Sequence, residues 1–114
     1  MTLPSFQLIT VELLKSLKDR KIHDISDSLD FLANFFELAE EDRTKLKLNG
    51  RETFFHHRVH EAKYYLKRSG LLENPSKGKI RISGAGFLFL NRGIEKMDRA
   101  FLTELSIEIR SLRN

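Results

Sequence analysis

The chain has 114 residues, 40% of them hydrophobic, which is enough for one folded domain with a real core. It has no cysteine, which excludes disulfides and Cys-based zinc sites and fits a reducing cytoplasm. No apolar run approaches the roughly 18 residues that a membrane span needs, and the N-terminus lacks the basic start of a secretory signal.

The net charge of +4 hides a strong asymmetry. Residues 1–42 sum to −5, residues 43–81 to +8 and residues 82–114 to +1. Positive charge is thus concentrated on the middle of the chain, the electrostatic footprint of a polyanion partner.

Phe6, Ile9, Leu13, Leu14 and Leu17 recur at helical spacing, so residues 5–19 read as a first amphipathic helix with Ser5 as its N-cap. Asp24 can cap a second helix whose Ile25, Leu29, Leu32, Phe35 and Phe36 face a core. Residues 39–42 start a short third helix or turn, where acidic residues suit a helix N-terminus. Asn49-Gly50 signals a turn. From about Thr53 to Ser69 runs the longest helix of the middle, with Phe55, Val59, Ala62 and Leu66 as its buried stripe and Gly70 as its terminator. Residues 71–74 read as a short strand, 75–78 as a turn, and Lys79-Ile80-Arg81-Ile82 as a strand with one buried face. Ser83 can cap a further helix that Asn91-Arg92-Gly93 breaks, and a last helix runs from about Ile94 to Leu112. This order predicts a mainly α winged helix-turn-helix with a small β-hairpin wing and an added C-terminal helix. The expected division is a winged-helix domain over 1–92 and a C-terminal helix over 93–114.

Residues 46–90 carry a resemblance. The pattern is built from Gly50, then Thr53, Phe55, Arg58, Val59 and Ala62. It continues through Tyr65, Leu66, Lys67, Arg68, Gly70, Leu71 and Leu72, and then Pro75, Gly78, Ile82, Ser83 and Gly86. In this the chain resembles the N-terminal winged-helix domain of Mrr-type restriction endonucleases, over about residues 3–91. Two departures stand out: Glu61 lies where the family usually has Trp, and Ala39 where it usually has a capping Ser. The resemblance implies recognition of sequence or base modification on duplex DNA, as the targeting module of a restriction system. In the family, cleavage resides in a separate downstream nuclease domain. With Asn114 as the last residue, the expectation is a fragment cut before that domain or a stand-alone relative, without catalytic activity of its own.

On the helix from Thr53, the face away from the buried stripe carries Thr53, His56, His57, His60, Tyr64 and Lys67. It offers donors, acceptors, a ring and a cation, the chemistry that reads base edges and phosphates. Thr53, His56, His57 and His60, with Arg51 just before, are the base-contact candidates; Lys63, Tyr64 and Lys67 are the phosphate candidates. The plain alternative is a solvated polar face. Lys77, Lys79 and Arg81 are either a wing on the backbone or solubility charge on an exposed hairpin. Arg58, at one side of the stripe, suits either DNA or an ion pair with an acidic residue of the first half.

His56 and His60 have a metal-compatible spacing but no third ligand, so no metal and no cofactor is expected. Three histidines on one face would gain charge as pH falls, which predicts tighter DNA binding near pH 6. Glu61-Ala62-Lys63 spells part of a nuclease motif, but mid-helix it cannot place an acid beside a metal. Phe54 and Tyr64 are the candidates for a modified-base contact. The last helix carries Leu102, Leu105, Ile109 and Leu112 at heptad-like spacing, which suits packing on its own domain or a homodimer. Besides a restriction system, the pattern suits a stand-alone dimeric transcription regulator or a winged helix used for protein assembly.

Overall fold

The computed structural model of the protein describes residues 3–44, 50, 53–93 and 99–105. The elements in chain order are α1 (Phe6–Ser16), β1 (His23–Asp24), α2 (Ile25–Phe35), α3 (Glu40–Thr44), α4 (Phe54–Arg68), β2 (Leu72–Ser76), β3 (Lys79–Ile82) and α5 (Gly84–Leu90). Residues 99–105 are helical as well. The predicted last helix otherwise lies outside the described residues, as do Asn49 and Arg51.

α1 begins where the Ser5 hydroxyl accepts the Leu8 N–H at 3.3 Å. It ends at Leu17, earlier than the predicted residue 19, and Arg20 then turns the chain with a φ of 67°. Ile9, Leu13, Leu14 and Leu17 are fully buried, as their spacing requires. α4 starts where expected, capped by Thr53, whose Oγ1 accepts the His56 N–H at 3.0 Å, and the predicted terminator Gly70 closes it with a φ of 85°. Phe55, Val59, Ala62 and Leu66 form its buried stripe.

α2 corrects two expectations. Leu32, Ala33 and Ser28 are buried, and Ile25, Leu29 and Phe36 pack against the core. Phe35, expected in the core, is 51% exposed. The reason is angular: Phe35 falls to the side of the buried direction that Leu32 and Ala33 set. Asp24 occupies the N-cap position of α2 but makes no side-chain cap bond. Its carboxylate holds Lys79 in an ion pair instead.

The sheet has the order β1-β3-β2 with both pairings antiparallel. β1 has only two residues and so no period to read. β2 runs two residues further than predicted, and the turn shrinks to Lys77-Gly78, with Gly78 at a φ of 76°. Between Glu73 and Ser76 the register shifts, giving β2 an extra residue. Pro75 sits in that irregularity, where its missing N–H costs no ladder bond. The Asn74 side-chain amide bridges it by donating to the carbonyls of Ser76 and Lys79.

One hydrophobic core joins α1, α2, α4, the sheet and α5, and it includes Leu102 of the last described helix. Ser83 caps α5 by accepting the Gly86 N–H at 2.9 Å and donating to Gly70 O at 2.6 Å. Gly86 lies so close to the end of α4 that a Cβ would meet Leu71 O at 2.0 Å. A mainly helical chain with a small three-stranded antiparallel sheet in this order is compatible with a winged helix.

Candidate nucleic-acid interface

α4 is anchored along one side and open along the other. Tyr65 packs edge-on against Phe6, with ring centroids 5.6 Å apart. Arg58 reaches across to the start of the chain, where its Nη1 donates to Pro4 O at 2.9 Å. Arg58 is thus a structural tie to backbone carbonyls, and the expected acidic partner is not what it meets. Glu61 also faces a neighbour: its carboxylate pairs with Arg99, whose guanidinium lies 4.5 Å from the centroid of the Phe6 ring. The departure at position 61 is thus a polar contact between α4 and the last described helix.

The open side gathers the predicted residues. Thr53 is half-buried, and its hydroxyl is used in capping the helix. His56 is half-buried beside Phe55, while His57 and His60 are exposed. Lys63 is half-buried and Lys67 exposed. Tyr64 is 53% exposed, and its hydroxyl accepts from Arg68 Nη1 at 2.9 Å. Arg68 is a basic residue of this face that the sequence pattern alone does not assign to the site. Its place four residues after Tyr64 is the signal that could have found it.

The hairpin divides its three cations. Antiparallel register places Asp24 opposite Lys79 and Glu73 opposite Arg81, and each pair closes as an ion pair, the second at 2.9 Å. Lys77, at the exposed turn, has no such partner among the described residues, and neither do Lys63 and Lys67. Of the basic candidates on α4 and the hairpin, Lys63, Lys67 and Lys77 are thus the ones without a carboxylate partner among the described residues. Among the described residues no group of three His, Asp or Glu side chains is arranged to hold a metal.

A small, mainly helical domain with a polar, basic helix running into a short hairpin is compatible with a winged helix. The comparison with family models is specific. The model of the Mrr N-terminal domain matches residues 6–92, and the chain belongs to that family, the N-terminal domain of Mrr-type restriction proteins. The match covers the span expected from the sequence, and it is to the N-terminal domain rather than to a nuclease domain. No curated protein and no solved structure matches the chain. Among the described residues no helix is long and apolar enough to cross a membrane.

Proposed function

We propose that this chain is the duplex-DNA targeting module of an Mrr-type restriction system, acting in the cytoplasm and without catalysis of its own. α4 is the reading helix of a winged helix-turn-helix and the β2–β3 hairpin is its wing. The supporting observation is the outer face of α4. Its polar side chains stay on the surface while its inner face is locked to the core. Lys63, Lys67 and Lys77 carry charge that no carboxylate among the described residues neutralises. Such a face loses little when it meets phosphates and gains counterion release. His57 and His60 are the exposed groups best placed for base edges, with His56, Tyr64 and Arg68 beside them. Thr53 contributes chiefly by fixing the helix start. Arg51, the remaining sequence candidate, lies outside the described residues. Lys79 and Arg81 reach phosphates only by exchanging their carboxylate partners.

The last described helix, residues 99–105, acts as an appended support rather than a dimer seam. Leu102 is 1% exposed within the core of its own chain, which supports this over the regulator reading. The test is a binding screen on methylated and unmethylated duplexes over a salt series. The proposal expects binding that weakens steeply with salt and that Lys67→Ala and Lys77→Ala each weaken. Absent or salt-independent binding rejects it.

A further inference from the structure

α2 presents a second surface that DNA recognition does not use. Phe31 and Phe35 are 46% and 51% exposed, and their rings stack with centroids 6.2 Å apart. Being four residues apart, they form one ridge along the helix edge. Phe35 is held edge-on by Phe36, which packs against the core, so the ridge is fixed rather than loosely placed. Phe31 also lines two open depressions of about 200 and 430 Å³ in the groove between α1 and α2. Two stacked, half-exposed Phe rings beside a groove are an apolar surface that no described residue covers.

The charge around the ridge says what would cover it. Residues 24–42 contain seven Asp and Glu and no Lys or Arg. Asp27 lies one turn before Phe31 and Asp30 follows on the outer face; both are exposed, and neither has an ion-pair partner among the described residues. On the α1 wall of the groove, Glu12 is already paired with Lys15 at 3.6 Å, and Asp19 with His23 at 2.8 Å. Lys18 stands on the same wall, so the surplus of negative charge lies on the α2 side. A polyanion is repelled there, whereas an apolar stripe flanked by cations is matched in both respects.

We propose that the Phe31–Phe35 edge of α2 is a docking surface for a basic amphipathic helix of a protein partner. The partner's apolar side chains cover the two rings and enter the α1–α2 groove, and its Lys and Arg side chains meet Asp27 and Asp30. The proposal stands independently of DNA binding by α4.

The probe is a synthetic helical peptide with leucines on one face and Lys and Arg on the other, titrated onto the full chain by fluorescence anisotropy. A scrambled peptide of the same composition is the control. Binding to the ordered peptide should exceed the scrambled one by about tenfold, and Phe31→Ala/Phe35→Ala should remove about tenfold or more. Asp27→Asn/Asp30→Asn should cost about threefold and flatten the salt dependence. Both double variants change exposed residues, and an unchanged melting temperature confirms that they fold. No binding, equal binding of the scrambled peptide, or binding indifferent to the Phe pair overturns the proposal. So does self-association of the chain through Phe31 and Phe35 in sedimentation, which would make the occupant a second copy.

Discussion

Two helices of this domain pack on the same α1 yet face opposite kinds of partner. Residues 24–42, which include α2, carry seven carboxylates and no Lys or Arg; residues 53–81, which include α4 and the hairpin, carry seven Lys and Arg and two carboxylates. Their apolar halves do the same work, since Leu32 of α2 and Leu66 of α4 enter one core. The outer halves differ in chemistry: aromatic and acidic on α2, imidazole-rich and basic on α4. Burial therefore fixes where each helix sits, and the solvent face alone distinguishes what each can meet. In a helix-turn-helix the first helix often crosses the phosphate backbone. Here the acidity of α2 would oppose that approach and leave the electrostatic load to α4 and the hairpin tip.

The most forceful way to break this comparison is to remove charge from each side in turn. Lys63→Ala/Lys67→Ala/Lys77→Ala should lower duplex affinity about 100-fold at low salt, with the salt slope falling by about 0.9 for each phosphate no longer neutralised. Asp27→Asn/Asp30→Asn should change it by less than about threefold. Comparable effects on both sides, read by anisotropy over a NaCl series, would mean that DNA touches α2 as well. His57→Ala should cost about tenfold, concentrated on preferred sequences, whereas Lys67→Ala should weaken all duplexes alike. A competition assay with random duplex separates the two.

A finer effect comes from the boundary between the regions. Asp24→Asn releases Lys79 from its pair, so duplex affinity should rise about threefold. Unfolding stability should move by no more than about 1 kcal/mol, because the pair is exposed. The smallest effect concerns Asp19. The His23 ring N–H, first, and the Lys21 N–H at 2.9 Å, second, hold its carboxyl below the usual value. A depressed folded value means the contribution is complete above the unfolded carboxyl range, near pH 4, and is lost as pH falls through the folded value. An NMR titration should find the midpoint below the ordinary carboxyl value in the native chain, and a higher one in His23→Ala, where the Lys21 N–H alone still lowers it.

How much of this was legible in the sequence follows from which signals are periodic. The α4 stripe repeats at helical spacing over three turns, and the Ser5 and Ser83 caps lie at their expected places. Family membership was legible too, because the matching residues are spread across the whole hairpin and both flanking helices. What escaped was pairing at a distance. The two-residue β1 exists only because β3 lies beside it, and Asp24 is drawn from its cap role because that register brings Lys79 opposite. Arg58 has the pattern of a surface cation, and only the path of the first residues reveals the carbonyls that it serves. The aromatic ridge escaped for a related reason: Phe35 fits a hydrophobic pattern, but the angle at which α2 meets the core decides which side of a broad apolar arc remains wet.

The stitch between Gly70-Leu71 and the start of α5 has a mechanical consequence. Leu71 O accepts the Ser83 N–H at 3.1 Å, Ser83 Oγ donates to Gly70 O, and Gly86 leaves no room for a side chain between them. The end of α4 and the far strand of the hairpin are thereby riveted at one point, and must tilt together. On a duplex docked along this face, such a rivet acts as a caliper of fixed opening. Were a duplex to dock as proposed, the spacing between α4 and the hairpin would be set by this joint, and a groove much wider or narrower would be disfavoured by shape.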